Sequence, residues 1–192
     1  MTYIKRLRRL AVGAVLGLSI GSAGAQSPSE GVEDFSQNGL VIATGKHLGA
    51  TAESMAEIID TIFNRYGAPA AVIQGEEAAA AVVVGFRYGR GGLTMSDGTK
   101  REVYWRGPSV GIDTGGNAAK TFILVYGLDA ADDIHRRFSG IEGTAFYVGG
   151  VAINYLSAGD TVLVPIRVGV GVRLGANVGY LKFTKESGWF PF

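Results

Sequence analysis

Residues 107–116 read GPSVGIDTGG and contain two arrangements of residue types that could do chemistry. Gly107, Ser109 and Gly111 have the G-x-S-x-G spacing of a nucleophile elbow. There, a sharp passage from strand to helix presents a serine hydroxyl beside backbone N–H donors. Asp113-Thr114-Gly115 has the form of the loop that brings one carboxylate to an aspartic protease. That chemistry needs two carboxylates sharing a proton across a water, so a chain with one such loop would work only as a dimer.

Neither arrangement has the surroundings its chemistry needs. Gly111, Gly115 and Gly116 follow Ser109 too closely for the helix of an elbow. His135 with Asp132 and Asp133 completes a formal Ser, Asp, His order, but these three share one short segment, and the βα repeats of a hydrolase are missing. For Asp113 the simpler reading is a turn, in which Asp accepts from nearby N–H groups and Gly supplies positive φ. GIDTGGNAAK is not a phosphate-binding loop, because no Gly-Lys-Ser/Thr occurs. His47 and His135 have no partner at metal-ligand spacing and read as surface histidines. Glu76-Glu77 and Asp132-Asp133 read as solvated caps rather than paired acids. No catalytic residue, metal ligand or cofactor is assigned.

The elements around these residues are mostly strands. One strong helix is expected over residues 52–66, where Met55, Ile58, Ile59, Ile62 and Phe63 fall on one face of a 3.6-residue period. Thr51 or Ser54 caps its start, and Gly67 and Pro69 stop it. GLVIATG at 39–45 reads as a short strand, and residues 129–138 as a short helix capped by Asp129 with Arg136-Arg137 at its C-terminal end. Strands are expected at 79–88, 91–95, 99–106, 121–128, 143–156 and 161–168. Ser96-Asp97-Gly98 makes a hairpin turn between two of them. From Val164 to Tyr180 apolar residues occupy one parity, and Pro, Arg, Asn and Gly the other. A period of two means extended chain with one apolar face, and glycine opposite allows tight curling. The fold class is therefore mainly β: a small closed antiparallel barrel of about eight strands, with one amphipathic N-terminal helix and one short helix.

The 192 residues hold no cysteine and only two histidines, which removes thiol and disulfide chemistry. Lys5, Arg6, Arg8 and Arg9, an apolar run from Leu10 to Ile20, and Ala23-Gly24-Ala25 form a secretory leader with cleavage after Ala25. Residues 1–25 are thus read as signal peptide, 26–38 as a flexible leader and 39–192 as one barrel domain. Without the leader, 14 Lys and Arg face 17 Asp and Glu, no footprint for nucleic acid.

Four segments carry a family resemblance: ESMAEIIDTIFNRYG, RGPSVGIDTGGNAAKTFILVYGL, IHRRFSGIEGTAFYVGGVAINYL and GDTVLVPIRVGVGVRLGANVGYLKFT. In these the chain resembles the bacterial envelope-integrity proteins called EipA. More distantly, GPSVGIDTGG is similar to the core of SYLF lipid-binding domains. The EipA resemblance implies a soluble periplasmic eight-stranded barrel needed for envelope integrity, with no catalytic residue to carry over. On that reading the protein is non-enzymatic and binds envelope lipid or polysaccharide, in keeping with peripheral membrane contact, its oligomeric state left open. Arg87, Tyr88, Trp105 and Arg106 are the candidate contacts, with aromatic faces and cations suited to a headgroup or sugar. The bland alternative makes Trp105 core and the arginines solvated. Two other functions stand beside it: an integral outer-membrane barrel, from the 164–180 alternation and the terminal Phe192, and a dimeric aspartic protease using Asp113.

Overall fold

The computed structural model describes residues 31–113, 119–141, 146–148, 150–168 and 179–187. Its element order is α1 (Gln37–Leu48), α2 (Ala52–Tyr66), β1 (Ala71–Met95), β2 (Lys100–Asp113), β3 (Ala119–Tyr126), a single 3-10 turn (Ala131–Ile134), β4 (Arg137–Gly140), β5 (Phe146–Val148), β6 (Val151–Ile153), β7 (Leu156–Ala158), β8 (Thr161–Val168) and β9 (Tyr180–Thr184). The leader, Thr114–Gly116, the 169–178 part of the alternating stretch and Phe192 lie outside the described residues.

All nine strand segments belong to one antiparallel sheet, in the order β3-β1-β2-β9-β4-β7-β8-β6-β5, and pairing of β3 with β8 closes it. β6 and β7 pair with successive parts of β8 as one interrupted strand, with β5 and β4 on its other side. The long β1 serves two stretches of the ring, pairing β3 through 71–77 and β2 through 81–94, so the barrel is eight-stranded, as expected. The β1–β2 hairpin turns where the sequence places it. Gly98 takes φ 88°, and the Asp97 carboxylate accepts from Thr99 N at 2.8 Å.

Strand alternation sorts the apolar residues into two cores. Inward positions such as Ile73, Leu93, Val103, Trp105, Ile123, Phe138, Leu163 and Phe183 fill the barrel. Outward positions Val72, Phe122, Leu124, Val164 and Ile166 form a second core beneath the helices, with Leu40, Met55, Ile58, Ile59 and Ile62. The apolar parity of β8 thus faces α1 and α2. Thr51 caps α2 by accepting from Ser54 N.

Three expectations are corrected. Residues 39–45 are helical: the Ser36 side chain accepts from Gly39 N, and Gly49 closes α1 in the left-handed region at φ 71°. A short apolar run does not by itself separate strand from helix, and here the caps decide. The leader is also shorter than 26–38, because Val32 is buried and Phe35 packs against the helical core. The short helix at 129–138 is only the 3-10 turn: Asp133, not Asp129, bonds Ala130 N, and Arg137 already belongs to β4.

Candidate functional site

Alternation also divides the four candidate contacts. The register pairs Arg87 with Gly107, Tyr88 with Arg106 and Gly89 with Trp105. Arg87 and Trp105 therefore enter the barrel, while Tyr88 and Arg106 lie on its outside. The four do not form one patch.

Inside, Arg87 and Trp105 meet Glu77, which the sequence suggested as a solvated cap, and Arg167, which sequence reading passed over. Glu77 on β1 and Arg167 on β8 lie on either side of β3, whose intervening inward positions, Ala119 and Thr121, are short. Glu77 Oε2 accepts from Arg167 Nε at 2.6 Å, and Oε1 accepts from Arg167 Nη2 at 3.2 Å and from Trp105 Nε1 at 2.7 Å. Arg87 Nε stands 3.6 Å from Oε2. Arg167 also donates from Nη1 to Asn154 Oδ1 at 2.6 Å. Glu77 is 4% exposed, so it is the opposite of a solvated cap. Burial alone would raise its pKa; the charges of Arg167 and Arg87, with the hydrogen bonds from Arg167 and Trp105, outweigh burial and hold it at about 2.

Trp105 is core, as the bland reading had it, with its N–H anchored. Its ring lies over Gly89, and an added Cβ there would run into the indole. A Cβ on Gly75 or Gly91 would meet the backbone of residue 90 or 74, so these glycines let the two ends of β1 cross inside the barrel.

Outside, four strands that α1 and α2 do not cover form a wall among the described residues. Reading across β1, β2, β9 and β4, the register aligns Tyr88, Arg106, Lys182 and Arg137 in one row. The outward positions on one side of this row are Arg90, Tyr104 and Thr184. On the other they include Phe86, 43% exposed, and Tyr180, whose ring carries the Arg137 guanidinium at 4.1 Å. Glu102 is the acid on this wall, and its bond to the Tyr104 hydroxyl raises that phenol's pKa. Beside Arg106 an open hollow of about 350 Å³ is lined by Thr184, Lys185, Glu186 and Ser187.

The remaining candidates are not brought together. Residues 107–111 run as continuous strand within β2, paired to β1, so Ser109 does not sit on an elbow. Asp113 is the last residue of β2, opposite Ala81, and the Thr114–Gly116 part of its expected turn lies outside the described residues. Both histidines are half-buried and hydrogen-bonded to carbonyls instead of standing free on the surface. His47 Nε2 lies 3.1 Å from the carbonyls of both Gly75 and Thr121, tying α1 to β1 and β3. Burial, partly offset by these carbonyls, lowers its pKa. The His135 side chain is 13% exposed, with Nδ1 2.8 Å from the Asp132 carbonyl. Among the described residues no three His, Asp or Glu are placed to hold a metal ion.

Glu77, Lys182 and Arg137 left faint signals in the sequence. Glu77 keeps the inward parity of Ile73, and Lys182 and Arg137 keep the outward parity beside Leu181 and Phe138. Only the register shows that the cations align.

A closed antiparallel barrel with two helices on one side, a filled interior and a basic outer wall defines a class of small β-barrel proteins. The family model of EipA, envelope integrity protein A, matches residues 33–192, and the chain belongs to that family. It is also similar to a solved structure described as a β-barrel-like, uncharacterized protein from Brucella abortus. Identity is 35%, the match covers 82% of this chain and 98% of that one, and the TM-score is 0.74. No curated protein matches the chain. The likeness to SYLF domains gains nothing from these matches.

Proposed function

We propose that the chain is a non-enzymatic periplasmic protein, exported by its leader with cleavage after Ala25, that supports the envelope by binding an anionic component, lipid or polysaccharide. The observation that carries this reading is the row Tyr88, Arg106, Lys182, Arg137 on the wall away from α1 and α2. Like charges at directly opposed cross-strand positions cost stability. An anionic ligand would offset that cost, which the seat of Arg137 on the Tyr180 ring meets only in part. The interior offers a poorer seat, because its described part is packed with its own side chains and Glu77 already neutralises one arginine.

Two other readings find less support. In the described part of the alternating stretch, Val164 and Ile166 are buried under α1 and α2, which leaves no lipid-facing band there. For a dimeric protease, one carboxylate at the end of β2 is half of the needed pair.

The test is to purify the exported chain and its Arg106→Glu/Lys182→Glu variant from the periplasm and identify retained lipids and glycans by mass spectrometry. An anionic lipid or glycan held by the parent and lost from the variant is expected. Equal retention by both, or retention of nothing anionic, would overturn the reading.

A further inference from the structure

Taking the proposed binding role as its basis, we infer that the β1-β2-β9-β4 wall docks on a bilayer surface containing anionic phospholipid. Its shape, charge and apolar content each point that way.

The wall is the outside of a barrel, convex across the strands, and its hollow beside Arg106 is open. A glycan chain is better held in a groove that encloses it. A convex face instead meets a broad, deformable surface along its crest. The aligned cations cross that crest from strand to strand. Strands lie about 4.8 Å apart, so a row across four of them spans about 15 Å. That width presents Arg106, Lys182 and Arg137 together to several neighbouring headgroups.

The charges fit phosphodiesters. Arg90 flanks the row, and Glu102, the acid on the same wall, is engaged with Tyr104. The hollow adds Lys185, Thr184 and Ser187, with Glu186 as its one acid. Two cations and the Ser187 hydroxyl can donate to phosphate oxygens, while the Thr184 hydroxyl donates to the Glu186 carbonyl at 2.9 Å. Lys185 also stands 3.6 Å from Asp132, a pair exposed enough to be exchanged for a phosphate.

The apolar element is Phe86, an exposed large hydrophobic residue on the wall. Tyr88 follows on the same face of β1, and Tyr180 lies on β9 beneath Arg137. Aromatic residues bordering a basic band are suited to the headgroup boundary, where an apolar ring can be buried while cations stay with phosphate. A soluble polyanion would use the cations and leave Phe86 in water.

The test is flotation of the purified exported chain with vesicles of phosphatidylglycerol or of phosphatidylcholine, at about 0.05 M and 0.5 M salt. Binding is expected to phosphatidylglycerol only and to weaken with salt. Each cation removed should weaken it about fivefold, and Arg106→Glu/Lys182→Glu more than tenfold. Phe86→Ser should weaken it while leaving the salt dependence unchanged. Thermal melting checks that each variant folds, and Arg106→Gln/Lys182→Gln replaces the double reversal if that one does not. Equal binding to both vesicles, no vesicle binding, or no effect of Phe86→Ser would overturn the inference. Binding of soluble polygalacturonate through the same cations, without vesicles, would overturn it yet leave the anion-binding role standing. If the cation variants change binding to neither vesicles nor polygalacturonate, that role falls as well.

Discussion

Glu77 and Arg167, ninety residues apart in the chain, hold each other inside the barrel through two hydrogen bonds to one carboxylate. They lie on strands that are not neighbours, so the pair ties β1 to β8 across β3. Removing one partner strands the other charge in the interior, which costs about 3–5 kcal/mol. Glu77→Ala and Arg167→Ala should each show a loss of this size in urea denaturation. Glu77→Gln with Arg167→Met removes both charges of the pair and takes the Glu77 carboxylate only from the part-exposed Arg87, so it should recover part of the loss. A double variant whose loss equals the sum of the two single losses would show that the pair is not coupled.

Acid should unfold the protein in two stages. His47 ordinarily titrates near 6.5 and is lowered in the fold, so below 6.5 the unfolded chain takes up a proton that the folded one refuses. Stability present above pH 6.5 is therefore lost as pH falls. Glu77 is lowered from 4.5 to about 2, so a further loss of a few kcal/mol runs from about pH 4.5 down to 2. Stability measured from pH 8 to 2 should show both declines, and His47→Gln should abolish the first. Stability flat between pH 7 and 5 in the parent chain would contradict the account of His47.

A methyl group on Gly89 should displace Trp105 from Glu77. The added Cβ would overlap the indole, which has packed core behind it. Gly89→Ala is expected to cost about 1–3 kcal/mol and to change tryptophan fluorescence as the N–H loses its carboxylate. An unchanged spectrum with full stability would refute the role given to this glycine. The same change at Gly98, where nothing lies within 4 Å of the added carbon, strains only a turn with φ 88°.

Periodicity made the barrel, the second helix and the β1–β2 hairpin legible, because each repeats over many residues or rests on a turn with its own chemistry. The first helix was hidden, since seven apolar and small residues fit either structure and only the Ser36 and Gly49 caps distinguish them. The candidate contacts were half legible. Residue types marked Arg87, Tyr88, Trp105 and Arg106, but adjacent positions on a strand point to opposite faces and so divided them. Glu77 and Arg167 could not be paired from sequence, because closure of the sheet brings them together. Lys182 and Arg137 joined Arg106 only through the cross-strand register.

Asp113→Asn should leave envelope resistance intact. Asp113 ends a strand, and the role proposed for this protein asks no proton transfer of it. A dimeric protease would lose all function with that change while keeping its fold. Complementation of a deletion strain, with circular dichroism on the purified variant, separates the two outcomes. Loss of resistance with an intact spectrum would restore the catalytic reading.

The most direct test of the outer wall as the working surface is complementation of a deletion strain under detergent stress by Arg106→Glu/Lys182→Glu, with periplasmic protein levels matched to the parent. Both side chains keep the outward parity of their strands and are half-buried, and the matched protein levels separate a loss of binding from a loss of folding. The account predicts that it fails to restore detergent resistance. Full resistance at equal protein level would contradict it.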